Sequence, residues 1–117
     1  MAIDQLLAVV PVSDMNTAQP WYERLLGHPE DTHPMESLCE WKIATRGWLQ
    51  IFVDPERAGS SLLNFAVDDL DAHLLELKSR GLTAGVIETA DKGARLSTIV
   101  DLDGNRITFV GGFHSAN

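Results

Sequence analysis

The chain has 117 residues, a single cysteine and a formal net charge of -8, with 44% hydrophobic and 22% charged residues. That balance describes a globular protein with enough chain for one modest core. The acidic excess disfavours a nucleic-acid backbone as partner, and no apolar run is long enough to span a bilayer. The opening Met1-Ala2-Ile3-Asp4-Gln5 lacks a basic leader, and Cys39 cannot close an internal disulfide, so a cytoplasmic location is expected.

Leu6 to Val12 is an apolar, β-branched run closed by Ser13-Asp14, a strand followed by a helix cap. Residues 15–26 then carry apolar side chains at helical spacing, and Gly27 stops the helix. Pro20 lies inside this run, which implies a helix that starts near Gln19 or is irregular before it. Residues 28–37 are polar, hold two prolines and leave room for one short edge strand. Cys39 to Thr45 and Trp48 to Val53 read as strands around the Arg46-Gly47 turn, and Asp54 to Ser60 as a loop.

The second half repeats this order. Ser61 to Val67 is a strand, and Asp68-Asp69 opens a helix to Arg80 whose apolar side is expected from Leu70, Leu74, Leu75 and Leu77. Val86 to Glu88 is a short strand, and Leu96 to Val100 and Arg106 to Val110 form a hairpin around Asp101-Leu102-Asp103-Gly104-Asn105. The tail from Gly111 to Asn117 is small and polar and is expected to fray. Val12-Ser13-Asp14-Met15 answers Val67-Asp68-Asp69-Leu70, and Leu49 to Phe52 answers Ile107 to Val110. The chain therefore reads as one α+β domain, 1–117, built from two tandem βαβββ modules at about 1–57 and 58–117.

This order, the paired helix starts and the Asp101 to Asn105 loop resemble the vicinal oxygen chelate superfamily of glyoxalases, bleomycin-resistance proteins and extradiol dioxygenases. That family's loop usually reads Asp-Pro-Asp-Gly-Asn, and Leu102 stands where the proline would be. The resemblance implies curled mixed sheets around a cleft, and a homodimer with its ligand at or near the subunit interface. The family's metal enzymes hold one divalent ion from two strand positions in each half, using His, Glu or Gln. Those positions fall on Leu7, Gln50, Leu62 and Thr108. Leucine offers no donor and threonine is a poor one, so no metal and no cofactor are expected.

Strand alternation places Trp48, Gln50 and Phe52 on one face, with Leu7 and Val9 from the first strand, and Leu62, Asn64, Arg106, Thr108 and Val110 from the second half. Apolar and aromatic groups with a few polar anchors suit a ligand pocket, although the same mixture also fills a core or a dimer interface. For Trp41 and Ile43 the pattern does not say which face they take. His28 and His33, with Glu30, Asp31 and Glu36, are usable metal ligands in what reads as a solvated loop. His73 reads as surface, His114 lies in the tail, and Cys39 reads as a small apolar filler. No nucleophile and base pair can be assembled from the sequence.

The expected function is metal-independent binding of a small organic ligand, cationic or aromatic, as in drug-sequestering antibiotic-resistance proteins, with catalysis not expected. Trp48, Gln50, Phe52, Leu7, Leu62, Asn64, Arg106 and Thr108 are the candidate ligand-binding residues. The competing readings are a metal-dependent lyase, isomerase or dioxygenase, and a structural or regulatory module whose cup is filled by its own side chains.

Overall fold

A computed structural model describes residues 2–113. The first half runs β1 (Leu6–Val12), α1 (Met15–Leu26), β2 (Thr32–Met35), β3 (Leu38–Ala44) and β4 (Gly47–Val53). The second runs β5 (Leu62–Val67), α2 (Leu70–Ser79), β6 (Glu88–Thr89), β7 (Arg95–Val100) and β8 (Arg106–Gly111). The strands form two sheets, ordered β1-β4-β3-β2 and β5-β8-β7-β6. In each sheet the first and last strands of the module pair in parallel and the remaining neighbours are antiparallel. The fold is α+β, a βαβββ unit used twice. His114 and most of the tail fall outside the described residues, while Gly111 closes β8 rather than fraying, because it pairs with Val67 and Arg95.

Both helices start on an aspartate. Asp14 accepts from the Asn16 N–H and Asp69 from the Ala72 N–H, which satisfies donors the first turn leaves free. Gly27 ends α1 at φ 86, a conformation that glycine adopts without strain. The helix does not begin near Gln19, as Pro20 suggested, but runs from Met15 through the proline. The missing N–H would have met the carbonyl of Asn16, one turn back. Asn16 and Pro20 are both exposed, so water can take that bond.

Alternation sends Val10, Val12, Cys39, Trp41, Leu49 and Ile51 of the first sheet, and Ile99, Ile107 and Phe109 of the second, toward the helices. They meet Ala18, Trp21, Tyr22 and Leu25 of α1 and Leu70 and Leu77 of α2 in one shared core. Trp41 is fully buried and settles the face of its strand, while Ile43 near the strand end is 38% exposed. Leu75 is 69% exposed and is not part of the apolar side of α2. Leu70, Leu74 and Leu77 follow the i, i+4, i+7 stripe, and a residue at i+5 turns off it.

The loop from Asp101 to Asn105 joins the modules. Asn105 is 1% exposed, and its Oδ1 accepts from the N–H groups of Gly59 and Ser61, each at 3.0 Å. Its Nδ2 donates to the Pro11 carbonyl and to Asp101, each at 2.8 Å. Asp101 also accepts from the N–H groups of residues 103, 104 and 105 and from the Tyr22 hydroxyl at 2.6 Å. Burial, then the bond to Asp101, pushes the Tyr22 phenol well above its ordinary range, so it remains a donor. Asp103 accepts from the backbone and side chain of Ser13. Leu102, where the family's proline would stand, is 65% exposed at the tip.

Candidate functional site

Each sheet has one face on the shared core and one face turned away from it. On the outer face of the first sheet lie Leu7 and Val9, about half exposed, with Trp48, Gln50 and Phe52 beside them. Trp48 is the one tryptophan not buried. Leu7 pairs with Trp48 and Val9 with Gln50 across the parallel ladder, so these side chains are direct neighbours. The burial of Cys39 and Trp41 sends the alternate residue Glu40 to the same outer face. Gln50 Nε2 donates to Glu40 at 2.6 Å, and Thr32 donates to the other carboxylate oxygen at 2.6 Å. These two bonds, that from Thr32 foremost, hold the Glu40 carboxyl below its ordinary range, so a negative charge persists there at neutral pH.

The outer face of the second sheet carries Leu62, 78% exposed, and the exposed Asn64 and Arg106. Thr108 is half-buried, and its hydroxyl lies 2.8 Å from that of Thr98 across the β7–β8 pair. The eight sequence-predicted residues are thus brought together as two sets of four on two separate sheets. A cavity of about 230 Å³ in the seam between the modules, lined by residues such as Lys42, Phe65, His73 and Phe109, contains none of them. Sequence reasoning missed Glu40. Its signal was the alternation of β3, which becomes readable once one buried residue shows which face is inside.

The family's metal positions can be tested on the ladder itself. Leu7 stands opposite Trp48, and Leu62 opposite Arg106, with Gln50 and Thr108 each two residues further along the partner strand. The four therefore occupy equivalent places in the two modules. Two of them are hydrocarbon, Thr108 shares its hydroxyl with Thr98, and Gln50 is turned to Glu40. This donor set does not fit a divalent cation.

His73 is half-buried rather than freely exposed. Its ring centroid lies 4.5 Å from that of Phe109, and its Nε2 is buried with no hydrogen-bond partner among the described residues. Residue 73 sits at i+3 from Leu70, on the buried stripe of α2, which is the pattern that could have located it. Burial, and to a lesser degree Arg80, lowers its pKa, with Glu76 opposing. Cys39 is fully buried, and burial with Glu30 beside it pushes the thiol up to about 12. A free thiol held there is not a nucleophile at neutral pH.

A doubled βαβββ unit with two bare sheet faces defines the vicinal oxygen chelate class. The chain belongs to its glyoxalase/bleomycin resistance protein family: it is 36% identical to such a protein from Catenulispora acidiphila DSM 44928, over 92% of this chain and 96% of that one, at a TM-score of 0.86. A bleomycin-binding protein solved with bleomycin shares the fold at a TM-score of 0.77 and 20% identity, covering 95% of this chain and 100% of its own. TnmS3, an antibiotic-binding protein from Streptomyces sp. CB03234, shares it at 0.72 and 24% identity, over 95% and 98% of the two chains. No family profile and no curated protein matches the sequence.

Proposed function

We propose that the protein captures a small organic ligand without a metal, in an aromatic cleft made where the first-sheet face of one copy meets the second-sheet face of another. The observation that carries this is the exposure of large apolar groups on both outer faces, with Leu7 at 51%, Phe52 at 37% and Leu62 at 78%. Apolar patches of this kind mark interfaces and ligand grooves. Among the folds it resembles are proteins described as binding bleomycin and an antibiotic, which supports a drug-like ligand. Trp48 would stack on an aromatic ligand, while Glu40, held by Gln50, would pair with a cationic group. Arg106, Asn64 and Thr108 would supply the opposite wall. In this reading the modules, about 1–57 and 58–117, act as a single domain in the cytoplasm.

The test is a calorimetric titration with bleomycin and a panel of cationic aromatic drugs, in the presence of a chelator. Trp48→Ala should weaken binding by roughly tenfold or more, about 1.4 kcal/mol. Unchanged affinity in a folded, dimeric Trp48→Ala variant would remove Trp48 and its neighbours from the site. Sedimentation equilibrium checks the interface. A chain that remains monomeric at binding concentrations would put the cleft within one copy.

A further inference from the structure

One cluster of metal-ligating side chains lies away from both outer faces. Glu30 in the α1–β2 loop, His33 in β2 and Cys39 in β3 present a carboxylate oxygen, an imidazole nitrogen and a thiol sulfur, all within 4.8 Å of one another. His33 Nδ1 is 3.2 Å from Glu30 Oε2, and Cys39 Sγ is 3.6 Å from the same oxygen. A tetrahedral zinc ion with ligands at about 2.0–2.3 Å keeps its O, N and S donors about 3.3–3.6 Å apart. The oxygen–nitrogen and oxygen–sulfur separations are already close to two edges of such a tetrahedron, and the nitrogen and sulfur lie within 4.8 Å of each other.

We propose that Glu30, His33 and Cys39 form a zinc site that staples the edge strand β2 to β3 and to the α1–β2 loop. A mixed oxygen, nitrogen and sulfur set is chemically suited to zinc rather than to magnesium or calcium, which take oxygen donors. The site also has an outer support. Gln19 of α1 donates to Glu30 Oε1 at 2.8 Å, so one carboxylate oxygen is anchored while Oε2 faces the nitrogen and the sulfur. The His33 side chain is 43% exposed and Cys39 is fully buried, so an ion would enter from the His33 side and keep water as its fourth ligand. On binding, the thiol proton leaves to solvent and the imidazole binds in its neutral form.

The strand that would be stapled needs it. All four residues of β2 are exposed, and its pairing with β3 is broken by a register shift between Thr32 and Met35. Such a short, irregular edge has little of its own to hold it.

The experiment titrates the full chain with cobalt(II) and then displaces it with zinc, after chelator treatment. The expected result is one ion per chain, a thiolate-to-cobalt charge-transfer band in the near ultraviolet, and a zinc-dependent rise in melting temperature. Cys39→Ser should abolish the charge-transfer band. His33→Ala, at an exposed position that leaves the core intact, should weaken zinc binding roughly a hundredfold, and Gln19→Ala about tenfold. Absence of the charge-transfer band in the wild-type chain would overturn the proposal. So would zinc affinity that survives both Cys39→Ser and His33→Ala, or that is lost in Gln50→Leu instead. The site does not rest on the ligand cleft, so either can fail alone.

Discussion

The two long hairpins occupy the same place in each module and differ in what they reach. The β3–β4 turn is tight, and the Arg46 side chain reaches only the exposed Asp4, by an ion pair to its carboxylate and a bond to its carbonyl. The β7–β8 loop crosses to the other module and buries Asp101 and Asn105 against Pro11 and Tyr22. Duplicated topology therefore does not mean duplicated energetics. One hairpin closes its own sheet, and the other also locks the two modules to each other. Exposed pairs such as Arg46 with Asp4 contribute little, whereas buried polar groups must be fully paired.

The sharpest way to break this asymmetry is Asn105→Ala. It strands the N–H groups of Gly59 and Ser61 and the carbonyl of Pro11. Urea unfolding should show a loss of about 3 kcal/mol, against less than about 0.5 kcal/mol for Arg46→Ala. Similar losses for the two would mean that the loop is not a latch. Next comes Gly59→Ala. Gly59 sits at φ 98, and an added Cβ would lie 2.3 Å from the Asp103 carbonyl oxygen. The loop must shift, and a loss of about 2 kcal/mol is expected in thermal melts. Tyr22→Phe removes one of several donors to Asp101 and should cost about 1 kcal/mol, read by the same urea method.

The smallest effect is a pH dependence set by His73 in the second module. Its folded pKa is lowered below the ordinary 6.5, so the unfolded chain binds the proton more readily. The stability due to neutral His73 is complete above pH 6.5 and declines as pH falls from there through the lower folded value. His73→Phe should flatten stability between wild type and variant across that window. A wild-type curve that rises on acidification through the same range would contradict the burial of this ring.

Strand alternation made most of the outer faces readable in advance. Leu7, Trp48, Gln50, Phe52, Leu62, Asn64, Arg106 and Thr108 needed only the inward residues Leu49, Ile51, Ile107 and Phe109 as a reference. In β3, Trp41 and Ile43 share a parity, and nothing in the pattern told which was inside, so Glu40 stayed hidden. His73 was hidden for a related reason, since a histidine on an acidic first turn reads as solvated until a partner such as Phe109 covers it. Pro20 misled because the cost of a proline depends on whether the carbonyl one turn back is wet.

Local chemistry along the chain determined the element order, the helix caps at Asp14 and Asp69, the stop at Gly27 and the doubling of the βαβββ unit. These depend on neighbours within a few residues, where periodicity and capping act. Only the tertiary structure decided that Asn105 reaches Pro11, Gly59 and Ser61, that Glu40 joins Gln50 and Thr32, and that Glu30, His33 and Cys39 converge. Such contacts join positions from different elements, some of them in opposite halves of the chain. They arise when strands pair within a sheet and when the two sheets fold onto one core, and short-range pattern carries no record of those meetings.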